Sequence, residues 1–465
     1  MNISFSLGWP QRTSSFAVLA GVLILGAPAN TWNAQATQQL EFKSNGSNVV
    51  ITGYTGTEAE LKIPNSIDGL PVTAIGAHAL EGSMILRRVT LPDTVEEIGY
   101  FAFFGCRNLE TVEFGNSVVA ILDQAFTGCA RLRQLDLPTS VSTIGTAAFS
   151  ECSGLRNLVL PSQVETIGVW AFARTGLTNV LLPDSLSVIG GLAFSGTSLN
   201  TITIPKGVVS VGAQAFEGCP LTAVTIVGNQ TWIGPRAFAN IDGLQDVSTP
   251  ANMAEPEPTA FTGSGWVDAD TSLRALRMNG SVMITGFEGW NEDSRITIPA
   301  QISGLRVTAV ASDSFPHLNR TIQIPPSIVT ILGDAFGGNP VSVDAGNPAF
   351  SSIEGVLFDR EQSVLIRYPI DKSGRYDVPS GVRRLETGSF KDCWKLTGVT
   401  LPDGLTNIGQ FAFQYCSGLT EATVPASVET IGTGAFAVAP GIWRDDVHFV
   451  LRFCGDAPST TGHIG

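Results

Sequence analysis

The chain has few of the residues that most enzymes rely on. Only four histidines occur among 465 residues, His78, His317, His448 and His463, and no two are close in sequence. A histidine-based metal site or acid–base pair is therefore not expected, and His78, in a turn beside a core position, reads as structural. There is no Gly-x-Ser-x-Gly, His-Glu-x-x-His or Cys-x-x-Cys, and no phosphate loop ending in Gly-Lys, which removes the commonest hydrolase, metalloprotease, redox and nucleotide-binding signatures. Basic residues are also scarce, 27 against 41 acidic ones. Phosphate backbones are held by stripes of Lys and Arg, so a nucleic-acid partner is disfavoured, and the acidity is read as solubility. No window approaches about 18 uninterrupted apolar residues, and no transmembrane anchor is expected.

The longest apolar stretch, Phe16 to Ala27, follows a single basic residue, Arg12, and precedes Ala34-Gln35-Ala36. Residues 1–36 thus read as a secretory signal peptide cleaved after Ala36. Its removal leaves 26 basic and 41 acidic residues, a net charge near −15.

What the chain has in abundance is repetition. The Phe of an Ala-Phe pair recurs at Phe103, Phe126, Phe149, Phe172, Phe194, Phe216 and Phe238, and again at Phe390, Phe413 and Phe436, at intervals of 22 or 23 residues. A unit this short cannot bury an apolar face alone, so neighbouring units must cover one another, and the fold is expected to be a β-rich solenoid of stacked coils. In Leu132-Arg133-Gln134-Leu135-Asp136-Leu137-Pro138 the alternating Leu residues predict a short strand ended by Pro138. Val141 and Ile144-Gly145 predict a second extended piece and a tight turn, and Ala148-Phe149 places a ring in the coil centre. Gly and Pro, 50 and 26 in number, fall mostly at fixed turn positions and so act as periodic punctuation.

Cys106, Cys129, Cys152, Cys219, Cys393 and Cys416 each lie three residues after a repeat Phe, where other coils carry Thr175 or Thr197. That interchange predicts small buried side chains and free thiols in place of disulfides. Cys454 lies outside this register.

A coarser duplication overlies the fine one. Asn45-Gly46-Ser47, Val49 to Tyr54, Ile63-Pro64 and Gly69-Leu70-Pro71-Val72-Thr73 return as Asn279-Gly280-Ser281, Val282 to Phe287, Ile298-Pro299 and Gly304-Leu305-Arg306-Val307-Thr308, about 234 residues later. Two arrays are therefore expected, 37–268 and 269–465, each opened by a capping module. Ala254-Glu255-Pro256-Glu257-Pro258 resembles a linker in composition, but Ala260-Phe261 is in phase, which predicts a degenerate last coil. An inserted hairpin is expected at about 344–370, turning at Asp359-Arg360-Glu361-Gln362.

The succession Leu91-Pro92, Ile98-Gly99, Ala102-Phe103, Gly105-Cys106 and Leu109, with the opening module ending in Gly69-Leu70-Pro71-Val72-Thr73 and the Gly346-Asn347-Pro348 insert, resembles the BspA-type leucine-rich repeat proteins of bacterial surfaces and secretions. The resemblance implies a leucine-rich repeat solenoid of short strands and turn or 3-10 segments. It also implies binding, adhesion or surface display, without an active site common to the family.

Asp93, Asp184 and Asp403 each follow Leu-Pro, but Thr139, Ser162 and Lys206 replace them elsewhere, so turn chemistry is preferred to a cation ladder and no metal is expected. Glu96-Glu97 and Asp445-Asp446 read as solvated pairs. The usable surface is the strand face, with one column formed by Thr111, Gln134, Asn157, Asn179, Thr201 and Ala223, and a second by Glu113, Asp136, Val159, Leu181, Thr203 and Thr225. Trp170 and Trp232 are read as packing, and Trp266 and Trp290 as exposed aromatic contacts. The expected function is a non-catalytic secreted or surface binding protein, without cofactor, whose partner is an extracellular protein or glycan. The alternatives are a rigid spacer for a further C-terminal domain and an enzyme with its site at the array junction or insert.

Overall fold

The computed structural model describes residues 39–250, 252–253, 256–289, 294–419 and 421–437, and the backbone of 450–453. The signal segment with its cleavage position, Trp290, Asp445-Asp446, His448, Cys454 and His463 lie outside the described residues. Among the described residues there are strands and turns and no α-helix. Successive coils stack and hydrogen-bond to one another on three sides.

The first side is an unbroken parallel ladder. Ile75, Ile98, Ile121, Ile144, Ile167, Ile189, Val211 and Ile233 pair in register, each buried, each one member of a two-residue strand or the end of a longer one. A Gly follows most of these residues because the preceding coil's backbone passes directly against it. A Cβ on Gly168 would stand 2.4 Å from the carbonyl carbon of Gly145, and one on Gly212 2.4 Å from the amide nitrogen of Gly191, so no larger residue fits without separating the coils.

The second side is the turn that carries Ala-Phe. From Phe103 to Phe238 the N–H of each Phe donates to the carbonyl of the Ala one coil ahead at 2.7–2.8 Å. This holds the rings in a continuous ladder from Phe103 to Phe261, with centroids 4.7–5.5 Å apart and planes within 11° of parallel. Phe261 belongs to this ladder, and the Glu257 N–H donates to the Ile233 carbonyl at 3.0 Å, so the chain entering it through Pro256–Pro258 is a coil, as its phase predicted.

The third side carries the longer strands, and here the expectation needs a correction. Glu60–Lys62, Arg88–Thr90 and Thr111–Glu113 form one parallel sheet, Asn157–Val159 and Asn179–Leu181 a second, and Thr201–Ile204, Ala223–Ile226 and Asp246–Ser248 a third. Residues 132–138, from which a strand was expected, make no ladder. Leu132 and Leu135 are still buried, so packing continues where the hydrogen bonding lapses. The Gln134 amide turns instead to the Asp136 carboxylate of its own coil at 2.6 Å.

Asp246–Ser248 then pairs in parallel with Leu273–Met278, the outer strand of the hairpin Leu273–Met278/Ser281–Phe287. The inner strand pairs with Leu305–Val310, which in turn pairs with Thr330–Ile331. The hairpin thus joins the strand-face sheet before it to the Ile-Gly-type sheet after it. The following outer strands, Arg295–Thr297, Thr321–Ile324 and Val341–Val343, form a separate sheet. One apolar core runs from Leu40 to Phe261 and takes in Leu276, Met283 and Ala311 across the junction.

Beyond it lie two further cores, one from Leu273 to Leu357 and one from Val356 to Ala435. Between Phe336 and Phe390 the chain folds as three antiparallel strands, Phe350–Ile353, Val356–Asp359 and Val364–Arg367, and the Asp359 carboxylate caps its turn by accepting the amides of Ser363 and Val364 at 2.7 and 2.9 Å. Tyr368 resumes the aromatic ladder, 5.0 Å from Phe390. Arg367, where other coils hold Ala, is nine-tenths buried and joins the two cores. Its guanidinium donates to Asp334 Oδ2 at 3.1 Å and to the carbonyls of Gly388 and Lys391 at 2.5 and 2.9 Å.

Because Phe172 stacks on both Phe149 and Phe194, which the backbone bonds hold apart across a missing ring, Phe172→Ala is expected to destabilise by about 3–5 kcal/mol, the cost of truncating a buried aromatic with its cavity. Denaturant unfolding checks this; a loss below ~1 kcal/mol would show that the spine is not what holds the coils.

Candidate recognition surfaces

The strand-face columns stand in register. Asn157 is opposite Asn179 and Val159 opposite Leu181; Thr201 is opposite Ala223 and Thr203 opposite Thr225; Thr111 and Glu113 follow Arg88 and Thr90. Gln134, Asn157, Asn179, Thr201, Glu113, Asp136, Thr203 and Thr225 are exposed, and Thr111 and Ala223 partly so. Gln134 and Asp136 sit where the ladder lapses. The face is chemically graded. Glu113 accepts from the Thr90 hydroxyl at 3.0 Å and from Arg88 at 2.8 Å, which holds its carboxyl below the usual range. At the centre Val159 and Leu181 are each 64% exposed side by side, an apolar pair on a face that is otherwise polar. Thr203, Thr225 and Ser248 continue it, and Asp246 is paired with Arg277 at 3.0 Å, where the hairpin ends the face.

The tryptophans correct the sequence reading. Trp170 and Trp232, expected to pack, are 48% and 42% exposed, whereas Trp266, expected to be exposed, is partly buried. Ile233 points inward, so the strand's alternation turns Trp232 out. Trp266 is pinned opposite Ala275 in an antiparallel pair and packs on the core beyond the junction.

Trp170 belongs to a column that sequence reasoning missed. The residue two before each repeat Phe has a left-handed backbone: Phe101, Gln124, Ala147, Trp170, Leu192, Gln214 and Arg236 all have φ between 53° and 58°. A second left-handed column lies two residues after the Phe, with Gly105, Gly128, Gly196 and Gly218, but Glu151 and Arg174 at φ 61° and 56°, and further on Asn240, Asp392 and Tyr415 at 57°, 64° and 61°, carry side chains there. A non-Gly residue there costs roughly 1–2 kcal/mol. The Arg174–Glu151 contact, 3.4 Å and largely exposed, is worth about 0–1 kcal/mol, so ion pairing does not offset two such residues. Between the columns runs a shallow depression lined by Trp170 and Leu192 on one side, Glu151 and Arg174 on the other, and Ser150, Ala173 and Ser195 along its floor.

One coil further on, Glu217 takes the floor position. It accepts from Arg236 at 2.8 Å, from Asn240 at 2.9 Å and from Gln214. Burial pushes its carboxyl up, but these donors outweigh it and leave it below the usual range.

The position three after the repeat Phe is a donor slot. The thiols of Cys129, Cys152, Cys219 and Cys416 donate to the carbonyl of the preceding coil's Phe at 3.2, 3.2, 3.1 and 2.9 Å, and Ser264 does the same at 2.5 Å. Thr175 bonds its own Phe172 carbonyl at 2.9 Å, and Asn339 its own Phe336 at 2.7 Å. Cys and Thr alternate here because each is small and carries a donor. All six described cysteines are free and buried. Burial, with a smaller contribution from Cys129, pushes the Cys106 thiol up to about 12; Cys129 is raised by its contact with Cys152 and by burial, and Cys219 and Cys393 chiefly by burial.

Asp93 serves the turn, accepting the Asn116 amide one coil on at 2.8 Å. His78 stacks on Phe101 at 4.9 Å and contacts Glu81 at 2.5 Å. His317 Nε2 lies 2.7 Å from Asp371 Oδ2, a pair the sequence concealed, but Lys395 takes the other oxygen at 2.6 Å, which makes the group an electrostatic brace. Among the described residues no three His, Cys, Asp or Glu are placed to hold a metal ion. At the junction Arg274 binds Asp242 at 2.9 Å and also pairs with Glu288.

Coils of this length, with an inward aromatic ladder and parallel strand faces, define a leucine-rich repeat solenoid. The sequence pattern of the BspA type leucine rich repeat region matches in six copies, over residues 73–197, 171–271 and 372–442, and the chain belongs to that family. No curated protein matches it. Among solved structures it is similar to a leucine-rich repeat protein from Bacteroides ovatus, with a TM-score of 0.46 and 22% identity over 89% of this chain and 98% of the other. It is also similar to a leucine rich cell surface protein from Faecalibacterium prausnitzii, with a TM-score of 0.40 and 21% identity over 90% and 93%. A third similar structure is a leucine rich repeat protein from T. pallidum, with a TM-score of 0.36 and 26% identity over 47% and 96%. These likenesses are in repeat architecture and carry no functional argument. Family membership points to a binding or scaffold role in a fold that is generally non-catalytic. Among the described residues no helix is long and apolar enough to cross a membrane.

Two outcomes are expected. Iodoacetamide should leave Cys106, Cys129, Cys152, Cys219, Cys393 and Cys416 unmodified in the native protein and label all six in denaturant without reductant, as read by peptide mapping; failure to label after denaturation would mean disulfides. Glu217→Gln should cost ~1–2 kcal/mol at neutral pH, where the ionised carboxylate is bound more tightly folded than unfolded. A depressed carboxyl contributes its stability above the unfolded value and loses it as pH falls through the folded one, so the difference between the two proteins should vanish in acid; a constant difference across pH would refute the assignment.

Proposed function

We propose that the chain is an exported, non-catalytic binding protein in which two solenoid arrays, 37–268 and 269–465, support an extended recognition face for an extracellular protein or glycan. The observation that carries this reading is the strand face itself: exposed side chains in register within each of three short parallel sheets between Glu60 and Ser248, with Val159 and Leu181 side by side in the middle one. Repetition spaces these groups about 4.8 Å apart, a spacing that suits an extended polymer meeting one residue per coil. Because most of the side chains project from paired strands, little ordering entropy opposes contact. Export is supported by the apolar segment Phe16–Ala27 and the small residues flanking Gln35. The junction favours no catalysis, since Arg274, Asp242 and Glu288 there are engaged with one another.

The test is binding of the purified chain to a panel of immobilised matrix proteins and glycans, beside two variants. One changes Gln134, Asn157, Asn179 and Thr201 to Glu; the other changes Val159 and Leu181 to Ser. Saturable binding that falls roughly tenfold or more in variants of unchanged Tm is expected. Binding unaffected by both would remove the strand face from the reading, and no binding by any protein would leave the solenoid as a rigid spacer.

A further inference from the structure

We propose that the depression beside Trp170 is a second binding site, a subsite for one ring of a neutral saccharide. It lies on the turn side of the coil, away from the strand face, so its failure would leave the strand-face reading intact. Three departures from the repeat meet there. Trp170 stands half in solvent, where Phe101, Gln124, Ala147, Leu192, Gln214 and Arg236 at the same place in their coils are partly or fully buried. Beside it in the preceding coil the same column holds Ala147, the smallest side chain of the set, which leaves the indole uncovered on that side. The floor beneath is small and hydroxylated, Ser150, Ala173 and Ser195, where the next coil is filled by Glu217 and its three donors.

The opposite wall is the more telling. Glu151 and Arg174 occupy the left-handed positions that Gly105, Gly128, Gly196 and Gly218 hold in the coils on either side; Asn240, Asp392 and Tyr415 take the same position singly or farther along, but here two charged side chains do so in adjacent coils, facing Trp170 across the depression. The exposed contact between them returns less than the backbone costs, so local stability does not account for their presence. Strained residues that stability does not explain are candidates for function. Together the walls carry the groups that recognise a pyranose. A flat aromatic face accepts the apolar C–H side of the ring, a carboxylate accepts hydroxyl protons, a guanidinium donates to ring or hydroxyl oxygens, and the two serine oxygens, whose own protons go to the carbonyls of Ala173 and Glu217, accept. The acid and base cancel in charge, and the chain as a whole carries −14, which disfavours an anionic sugar.

The test uses the purified chain and titration by calorimetry and tryptophan fluorescence with cellotetraose, mannotetraose, chitotetraose and laminaritetraose. Tetragalacturonate and an uncharged decapeptide serve as comparisons. The variants are Trp170→Ala, which the neighbouring Ala147 shows the backbone accepts, and Glu151→Gly with Arg174→Gly, which restores the residue of adjacent coils. Trp232→Ala removes an exposed indole elsewhere. At least one neutral tetrasaccharide should saturate, with affinity falling roughly tenfold or more in the first two variants and unchanged in Trp232→Ala. The Gly double variant should lose binding without losing Tm, which separates recognition from folding. No saturation by any neutral tetrasaccharide up to ~10 mM, saturation that Trp170→Ala leaves unchanged, or binding only of the anionic sugar or the peptide would each overturn the assignment.

Discussion

Everything in this molecule depends on holding one coil at hydrogen-bonding distance from the next. The Phe-to-Ala backbone bonds of 2.7–2.8 Å impose that spacing on the turn side, and the Ile ladder imposes it on another. Whatever lies between two coils must then fit a gap of about 5 Å. A phenyl ring stacked face to face fits it, and so does Gly after Ile, where a Cβ would meet backbone at 2.4 Å. A thiol or hydroxyl reaching the previous coil's Phe carbonyl fits it too, adding a second donor to an oxygen that already accepts the amide three residues on in its own coil. Where the pattern loosens, the fit loosens with it. Phe287, Phe315 and Phe336 stand 5.8–5.9 Å apart and tilt by 27–28°, in the stretch where the hairpin has redirected the sheets.

Such a stack couples each coil mainly to its neighbours, so a break in regularity must be repaired locally. The antiparallel strands from Phe350 to Arg367 are such a break, with separate apolar cores on either side. Arg367 replaces the lost Ala with a long donor that reaches Asp334 behind it and two carbonyls ahead. A buried guanidinium is tolerable only because those acceptors converge on it; removing any one of them leaves a desolvated charge short of partners.

The period of the Phe residues was enough to read the solenoid, because an aromatic ladder tolerates no slip: Phe261 was placed by phase alone, against a composition that suggested a linker. The free state of the cysteines was legible from their exchange with Thr, but not the reason for it, since a carbonyl acceptor one coil away has no local signature. The lapse at Gln134 was hidden because Leu132 and Leu135 keep the strand pattern whether or not the backbone pairs. Tyr368 was missed as a ladder residue because its Arg-Tyr pair replaces Ala-Phe. The aromatic surface was misread because Trp170 and Trp232 each directly precede a core residue of the repeat, and adjacency to a core residue does not bury a side chain. What decides it is strand alternation at Trp232 and, at Trp170, the small Ala147 that leaves one side of the ring uncovered. The His317–Asp371–Lys395 brace joins residues distant in sequence and in no repeat phase.

The two candidate surfaces differ in how they are bound to the fold. On the strand face, inward and outward residues alternate, so an outward side chain can change without touching the core, and recognition there is free to vary coil by coil. The hairpin at Leu273–Met278 limits that freedom by handing the sheet to the other side of the stack, so the face ends at Ser248. In the left-handed columns side-chain identity and backbone energy are linked, and Gly is the relaxed choice two residues after the Phe. A stack of near-identical coils supplies its own control for such positions. The coils bearing Gly105, Gly128, Gly196 and Gly218 show the relaxed solution at the same place in the same fold, so the side chains at Glu151, Arg174, Asn240, Asp392 and Tyr415 are carried at a backbone cost that the architecture does not require, and Glu151 and Arg174 are the adjacent pair that lies beside Trp170.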